Sequence, residues 1–265
     1  MNQVAQKKTT QVVVSELDKM LETDSRAGLE NITTEDMQIP FIRIIQALSP
    51  QLQKDDPLYI KGAEQGDIFN TVSGELYRET VDDSTSLVVV PAFFEKKFLE
   101  FQLRSSGGGF VRELAADDKD ITMTSRENTT ELLPNGNELV RTHQHLVIAK
   151  SADGTIAPSV LDMKKTQLKV SRRWNTLKNS ARLPSGALMP IYGTAWKVTT
   201  VLEANDQGKW FNYKIDRIND ITPDIEKMML EARNMYQGVS KGEVKMAAAS
   251  ADEIAKEEDV PFYLN

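Results

Sequence analysis

The residues whose types could do chemistry fall into a few short stretches. His143 and His145, the only histidines, stand two apart in a run that reads as a strand, so alternation puts both rings on one face. That spacing could begin a metal site. The chain has no third histidine and no cysteine, so carboxylates would have to complete it, and no metal is expected. Ser105-Ser106-Gly107-Gly108-Gly109 lacks the Lys-Ser/Thr that a P-loop needs after its glycines. It reads either as a flexible loop that closes over a bound strand or as a hairpin tip. No serine sits in a nucleophile elbow, and no carboxylate cluster emerges from spacing. The chain is therefore expected to be a binding protein, not an enzyme, with no catalytic residue and no cofactor.

Binding chemistry is better represented. In Phe94-Glu95-Lys96-Lys97-Phe98-Leu99-Glu100-Phe101-Gln102-Leu103-Arg104, read as a strand, one side carries Phe94, Lys96, Phe98, Glu100, Gln102 and Arg104. Exposed rings offer stacking platforms to unpaired bases, worth about 1–3 kcal/mol per base, while cations hold phosphates. The competing reading makes Phe94 and Phe98 core residues of a sheet buried on both faces. A second surface lies between Leu161 and Arg182. Seven cations, Lys164, Lys165, Lys169, Arg172, Arg173, Lys178 and Arg182, stand there against Asp162 alone, a net +6 in a chain whose total is −7. An anionic ligand is the simplest reason for such segregation. Trp174, at helical spacing with Val170 and Leu177, reads as the anchor of this segment. Trp196 and Trp210 join Phe94 and Phe98 as candidate stacking residues. Lys96, Lys97, Arg104, Lys164, Lys165, Lys169, Arg172 and Arg173 are the candidate phosphate contacts.

The last stretch is Glu257-Glu258-Asp259-Val260-Pro261-Phe262-Tyr263-Leu264-Asn265, an acidic run closed by a short apolar, aromatic tip. Residues 252–259 hold five acids against Lys256, a net −4. Such a tip cannot fold alone: its apolar groups dock on the domain or insert into a partner, with the acids supplying salt-sensitive attraction. Glu257, Glu258, Asp259, Val260, Pro261, Phe262 and Tyr263 are the candidate partner-binding residues.

The elements that must position these groups can be read from pattern. Ser15 caps a short helix carrying Leu17, Met20 and Leu21. Ile39-Pro40-Phe41-Ile42-Arg43-Ile44-Ile45 is a buried strand closed by Pro50. From Gly66 to Lys150 the pattern is strands and hairpins, with turns at Ser73-Gly74, Asp82-Asp83-Ser84 and Pro134-Asn135-Gly136. Leu87–Phe94 and Lys96–Arg104 form one long strand or two that meet at a bulge, and Leu139–Lys150 forms another. Lys164–Ser180 is an amphipathic helix with a basic face. Ala195–Glu203 and Lys209–Ile215 make a closing hairpin. Thr222 and Pro223 open a helix that Gly238 is expected to stop.

These elements predict a β-rich α+β fold compatible with an elaborated OB-type barrel, bearing a basic amphipathic helix and a flexible acidic C-terminal tail. The expected division is an N-terminal extension over 1–38, an OB-like domain over 39–238, and a linker and tail over 239–265. With 265 residues the chain can bury a core without staples. Absence of cysteine suits a reducing compartment. No stretch is apolar and long enough to span a bilayer, and the start lacks a signal-peptide core, so a soluble, cytoplasmic protein is expected.

The ending Glu258-Asp259-Val260-Pro261-Phe262 resembles the tail of bacterial single-stranded DNA-binding proteins, which finishes with acids, an aliphatic residue, proline and phenylalanine. In that family the tail recruits polymerase, helicase and repair proteins and competes with DNA for the basic groove. Here Tyr263, Leu264 and Asn265 extend beyond Phe262, where the bacterial tail presents a free carboxylate. Ile39-Pro40-Phe41-Ile42-Arg43-Ile44-Ile45-Gln46 with Ser49-Pro50, Gly66-Asp67-Ile68-Phe69-Asn70, Val88-Val89-Val90-Pro91 and Lys165-Thr166-Gln167-Leu168-Lys169 are similar to stretches of tailed-phage single-stranded DNA-binding proteins. The resemblance implies sequence-nonspecific binding of single-stranded DNA in replication and recombination, in the host-cell cytoplasm, with the tail recruiting partners. Resemblance to phages that carry a virion RNA polymerase implies an alternative, a transcription activator or adaptor whose C-terminal end contacts host RNA polymerase.

Overall fold

The computed structural model describes residues 15–25, 27–31, 38–79, 81–206, 208–242 and 244, divided into two compact units, 1–38 and 39–265. In the first, α1 (Glu16–Thr23) opens on a capping box. The Ser15 hydroxyl accepts from the Asp18 N–H and the Asp18 carboxylate accepts from the Ser15 N–H, satisfying two donors that a helix start leaves open.

The second unit is β-rich. Its strands are β1 (Phe41–Ile44), β2 (Ile68–Asn70), β3 (Leu87–Phe101), β4 (Phe110–Leu114), β5 (Ser125–Glu127), β6 (Thr130–Leu132), β7 (Glu138–Lys150), β8 (Ile156–Lys164), β9 (Ala195–Asn205) and β10 (Gly208–Ile218), with α2 (Leu168–Ser180) after β8 and α3 (Pro223–Ser240) after β10. One sheet runs in the order β10-β9-β3-β7-β8-β1-β2, with β4 on β3 and β5 reaching β7 through β6. The β1–β8 pair is parallel and the other pairs are antiparallel.

The long strand β3 decides which side chains meet. Its register against β7 shifts between Pro91 and Phe93, where proline has no N–H to give to the ladder. Before the shift, Leu87 and Val89 face the core closed by α2, while Val90 and Ala92 face the core beneath α3. After it, Phe93 joins the α3 side. Two successive residues therefore share one face, the sense of alternation changes, and Phe94 and Lys96 are aimed at the α2 side. Re-aiming a strand in this way is the usual effect of a bulge.

Each face of the sheet has its own core. Ile42, Val147, Leu161, Trp196 and Ile215 pack with Trp174 of α2, whereas Phe41, Phe101, Leu146 and Val160 pack with Ile225, Met228 and Ala232 of α3. The sheet curls until its ends are bridged by side chains. The Gln46 amide donates to the Phe211 carbonyl and accepts from the Phe211 N–H, both at 2.9 Å, taking the place of a ladder pair. Tyr213 Oη donates to the Ile42 carbonyl at 2.9 Å, and Thr200 Oγ1 to the Gly66 carbonyl at 2.7 Å. Gly66 is required there. Its φ is +93°, and a Cβ would lie 2.6 Å from the Phe211 ring.

Helix α3 starts as its sequence predicts, with the Thr222 hydroxyl accepting from the Ile225 N–H and Pro223 in the first turn. It does not stop at Gly238. The helix runs on to Ser240, and Gly238 instead admits the Val244 side chain, which would stand 2.9 Å from a Cβ. Among the described residues no helix is long and apolar enough to cross a membrane.

Candidate functional site

Helix α2 is anchored by Trp174, 1% exposed, whose ring lies 4.5 Å from His145 and 6.0 Å from Trp196. Beside it runs a chain of polar groups. Lys178 Nζ is 3.1 Å from His145 Nδ1, His145 Nε2 is 2.8 Å from Ser171 Oγ, and Ser171 Oγ is 2.7 Å from His143 Nδ1. With Lys178 as donor the order of protons follows. His145 Nε2–H donates to Ser171, the Ser171 hydroxyl donates to His143 Nδ1, and both rings are neutral with the proton on Nε2.

Burial sets the charge states. It pushes His145 well below the usual imidazole value, with Lys178 and His143 adding to the effect. His143, half-buried, is lowered first by burial and then by Lys96, Arg172 and Lys178. Burial also takes the Lys178 ammonium down to about 7. That amine stands 4.2 Å from the Trp174 ring centroid and 5.7 Å from that of Phe94, two faces that favour its charged form and so oppose the fall.

The cluster opens toward solvent at His143. Its ring meets Phe94 edge-on at 5.2 Å, and the exposed Lys96, opposite His143 in the ladder, and Arg172 on α2 add their charge to the same spot. Lys96, Arg172 and the exposed Arg173 have no acidic partner among the described residues. The bulged strand and the basic helix, separate in sequence, thus form one electropositive surface.

Other expected contacts are placed differently. Lys165 is 3.6 Å from Glu138, Lys169 is 2.8 Å from Glu203, and Lys164 is half-buried at the end of β8. Lys97 is a correction. Alternation turns it to the other side of β3, where it is buried and paired with Glu113 at 3.1 Å, so it cannot hold a phosphate. Phe98 is half-buried over Leu114, Ile121, Leu133 and Leu139, with Arg141 across its ring at 5.3 Å, which leaves no open stacking face. Phe94 is likewise half-buried as a wall of the histidine cluster. The side chain of Arg104 and the residues Glu257, Glu258, Asp259, Val260, Pro261, Phe262 and Tyr263 lie outside the described residues.

The two tryptophans of the closing hairpin part company. Trp196 is 1% exposed, donates from Nε1 to Thr194 Oγ1 at 2.9 Å and packs on Trp174; it is a core residue and no base reaches it. Trp210 is half-buried and, with Lys209, Phe211, Leu202, Gln46, Ala47 and Gln65, lines an open cavity of about 230 Å³. Its ladder partner Glu203 accepts from Asn212 and Lys169. Burial raises the Glu203 carboxyl, but bonds from Asn212 and Lys169 and the charge of Lys169 outweigh this and hold it below the usual range. Lys169 thereby ties the hairpin to α2, whose 13 residues span about 20 Å.

Neither Ser171 nor Lys178 stands out in the sequence as a site residue, and the spacing of the two histidines does not reveal this relay. A signal existed: Ser171 and Lys178 fall three residues before and four after Trp174, on the face that α2 buries. Among the described residues no group of three or more His, Cys, Asp or Glu is placed to hold a metal ion. A family model described as Pam3 phage gp34-like protein matches residues 7–245 of the chain. Neither the curated proteins nor the solved structures compared with it give a match.

Proposed function

The chain belongs to the Pam3 phage gp34-like family, and from that phage setting we propose that it binds single-stranded DNA without sequence preference during replication and recombination in the host cytoplasm. The observation that carries this reading is the meeting of Lys96, Arg172 and the His143 edge on one face, with no acid among the described residues to neutralise the two cations. A phosphodiester chain crossing α2 would meet these cations at one end and the Trp210 cavity at the other, where one base can enter against the indole and Lys209 holds its phosphate. The curled sheet is read as an OB-type barrel, which commonly binds strands of this kind across its face. The acidic tail, 257–265, is proposed to recruit replication or recombination proteins, its charge drawing it to a basic pocket. Contact of the same tail with host RNA polymerase is the alternative.

The experiment is binding of a fluorescent oligothymidylate and of its duplex with oligodeoxyadenylate across a salt series. Preference for the single strand, with affinity falling as salt rises, is expected. Each phosphate contact removed, as in Lys96→Gln or Arg172→Gln, should flatten the log–log salt slope by about 0.7. Equal binding of single strand and duplex, or none of either, overturns the reading.

A further inference from the structure

The chain from Lys178 through His145 and Ser171 to His143 is more than the packing of α2 requires, because an apolar face would anchor the helix without it. It has one exit. Lys178 is 7% exposed, and His145 and Ser171 are fully buried, while His143 reaches the surface between Lys96 and Arg172. With the Ser171 hydroxyl donating to Nδ1, the Nε2–H of His143 is the relay's outermost group.

Resting on the reading of this surface as a phosphate site, we propose that anion binding there is coupled to proton uptake: a phosphodiester held by Lys96, Arg172 and His143 Nε2–H draws one proton from solvent onto His143 Nδ1. The new N–H donates to Ser171 Oγ, which already accepts from His145. The serine hydroxyl then turns to the Gln167 carbonyl one turn earlier, the acceptor a helical serine ordinarily uses. The device needs no movement of backbone.

The charges around His143 explain the direction. From β3 it faces Lys96 and the Phe94 ring, and from α2 Arg172, Ser171 and, through His145, Lys178. Along β7 the next residue on its face is Arg141, which Glu131 holds at 2.6 Å, and opposite on β8 stands the uncharged Met163. Three cations and burial keep the free ring neutral; a phosphate between Lys96 and Arg172 cancels the nearest of them and makes the imidazolium favourable. Bound DNA therefore raises the affinity of His143 for a proton, and by reciprocity acid strengthens DNA binding.

The probe is oligothymidylate, since neither its phosphodiesters nor thymine titrates between about pH 5 and 8. Titration calorimetry of the full chain in buffers of different ionisation enthalpy should report uptake of up to about one proton, and the dissociation constant should rise by up to about tenfold per pH unit across the window where His143 loses its charge. The chain has only two histidines, so nitrogen-15 spectra read each ring directly. His143 Nδ1 should gain a proton on binding while His145 stays neutral. Uptake should persist in Lys178→Met and vanish in His143→Gln. Binding without uptake, or uptake with His143 still neutral, overturns the coupling and leaves the DNA reading intact. Absence of binding overturns both.

Discussion

Replacing Lys178 by methionine should reverse the sign of its effect on stability between mildly acid and alkaline solution. The folded amine has its pKa lowered from 10.5 to about 7 by burial, a fall of roughly 3.5, and each unit is worth about 1.4 kcal/mol. Below pH 7 both folded and unfolded chains carry the ammonium, and the folded state bears the whole desolvation cost, about 4–5 kcal/mol. Between about pH 7 and 10.5 the unfolded chain binds the extra proton, so stability rises with pH and the cost disappears. Lys178→Met removes that cost but leaves His145 Nδ1 without its donor, a loss of about 1–3 kcal/mol at every pH. The variant should be more stable than the parent by roughly 1–4 kcal/mol at pH 6 and less stable by about 1–3 kcal/mol near pH 10.5. Urea unfolding followed by tryptophan emission measures this directly, since Trp174 and Trp196 are both buried. Titrating groups elsewhere contribute equally to the two proteins and cancel in the difference. A difference that does not change with pH would refute the argument, showing that the ring faces of Trp174 and Phe94 keep the ammonium charged throughout.

The cavity beside Trp210 predicts that Trp210→Phe loses most of the emission quenching caused by oligothymidylate, whereas Trp196→Phe keeps it, because Trp196 is sealed in the core. Lys97→Met should leave the salt slope of DNA binding unchanged, while Arg172→Ala lowers it by about 0.7; equal slopes for the two variants would mean that the ion pair with Glu113 opens on binding. Gln46→Ala removes both bonds that link the loop after β1 to β10 and should cost about 1–3 kcal/mol in urea unfolding. Amide exchange at Phe211 should rise with it, and an unchanged exchange rate would show that the sheet ends are held by other contacts.

Much of this fold is local and was legible. Runs of β-branched residues mark β1, β3 and β7, and Ser15 and Thr222 mark the starts of α1 and α3, because strand alternation and helix capping depend on neighbours a few residues away. The segregation of charge is likewise visible: the basic residues of α2 and the acidic end can be counted along the chain. Even the side of β3 that carries Phe94 and Lys96 follows from alternation within 94–104.

What the sequence could not decide is which of these groups is free. Lys97 and Lys96 are adjacent cations, yet Lys97 meets Glu113 and Lys96 meets no acid among the described residues. Lys169 finds Glu203 from 34 residues away, while Arg172, one turn later, finds none among the described residues. Trp196 and Trp210 stand on paired strands of one hairpin, but only the first is covered by α2. In the relay of Lys178, His145, Ser171 and His143 the most distant directly bonded pair, Lys178 and His145, stands 33 positions apart. Accessibility, ion pairing and desolvation depend on partners that only chain folding brings together, so the sequence determined the elements and their charges, and the tertiary structure decided which charges are paired, which are buried and which stay open to solvent.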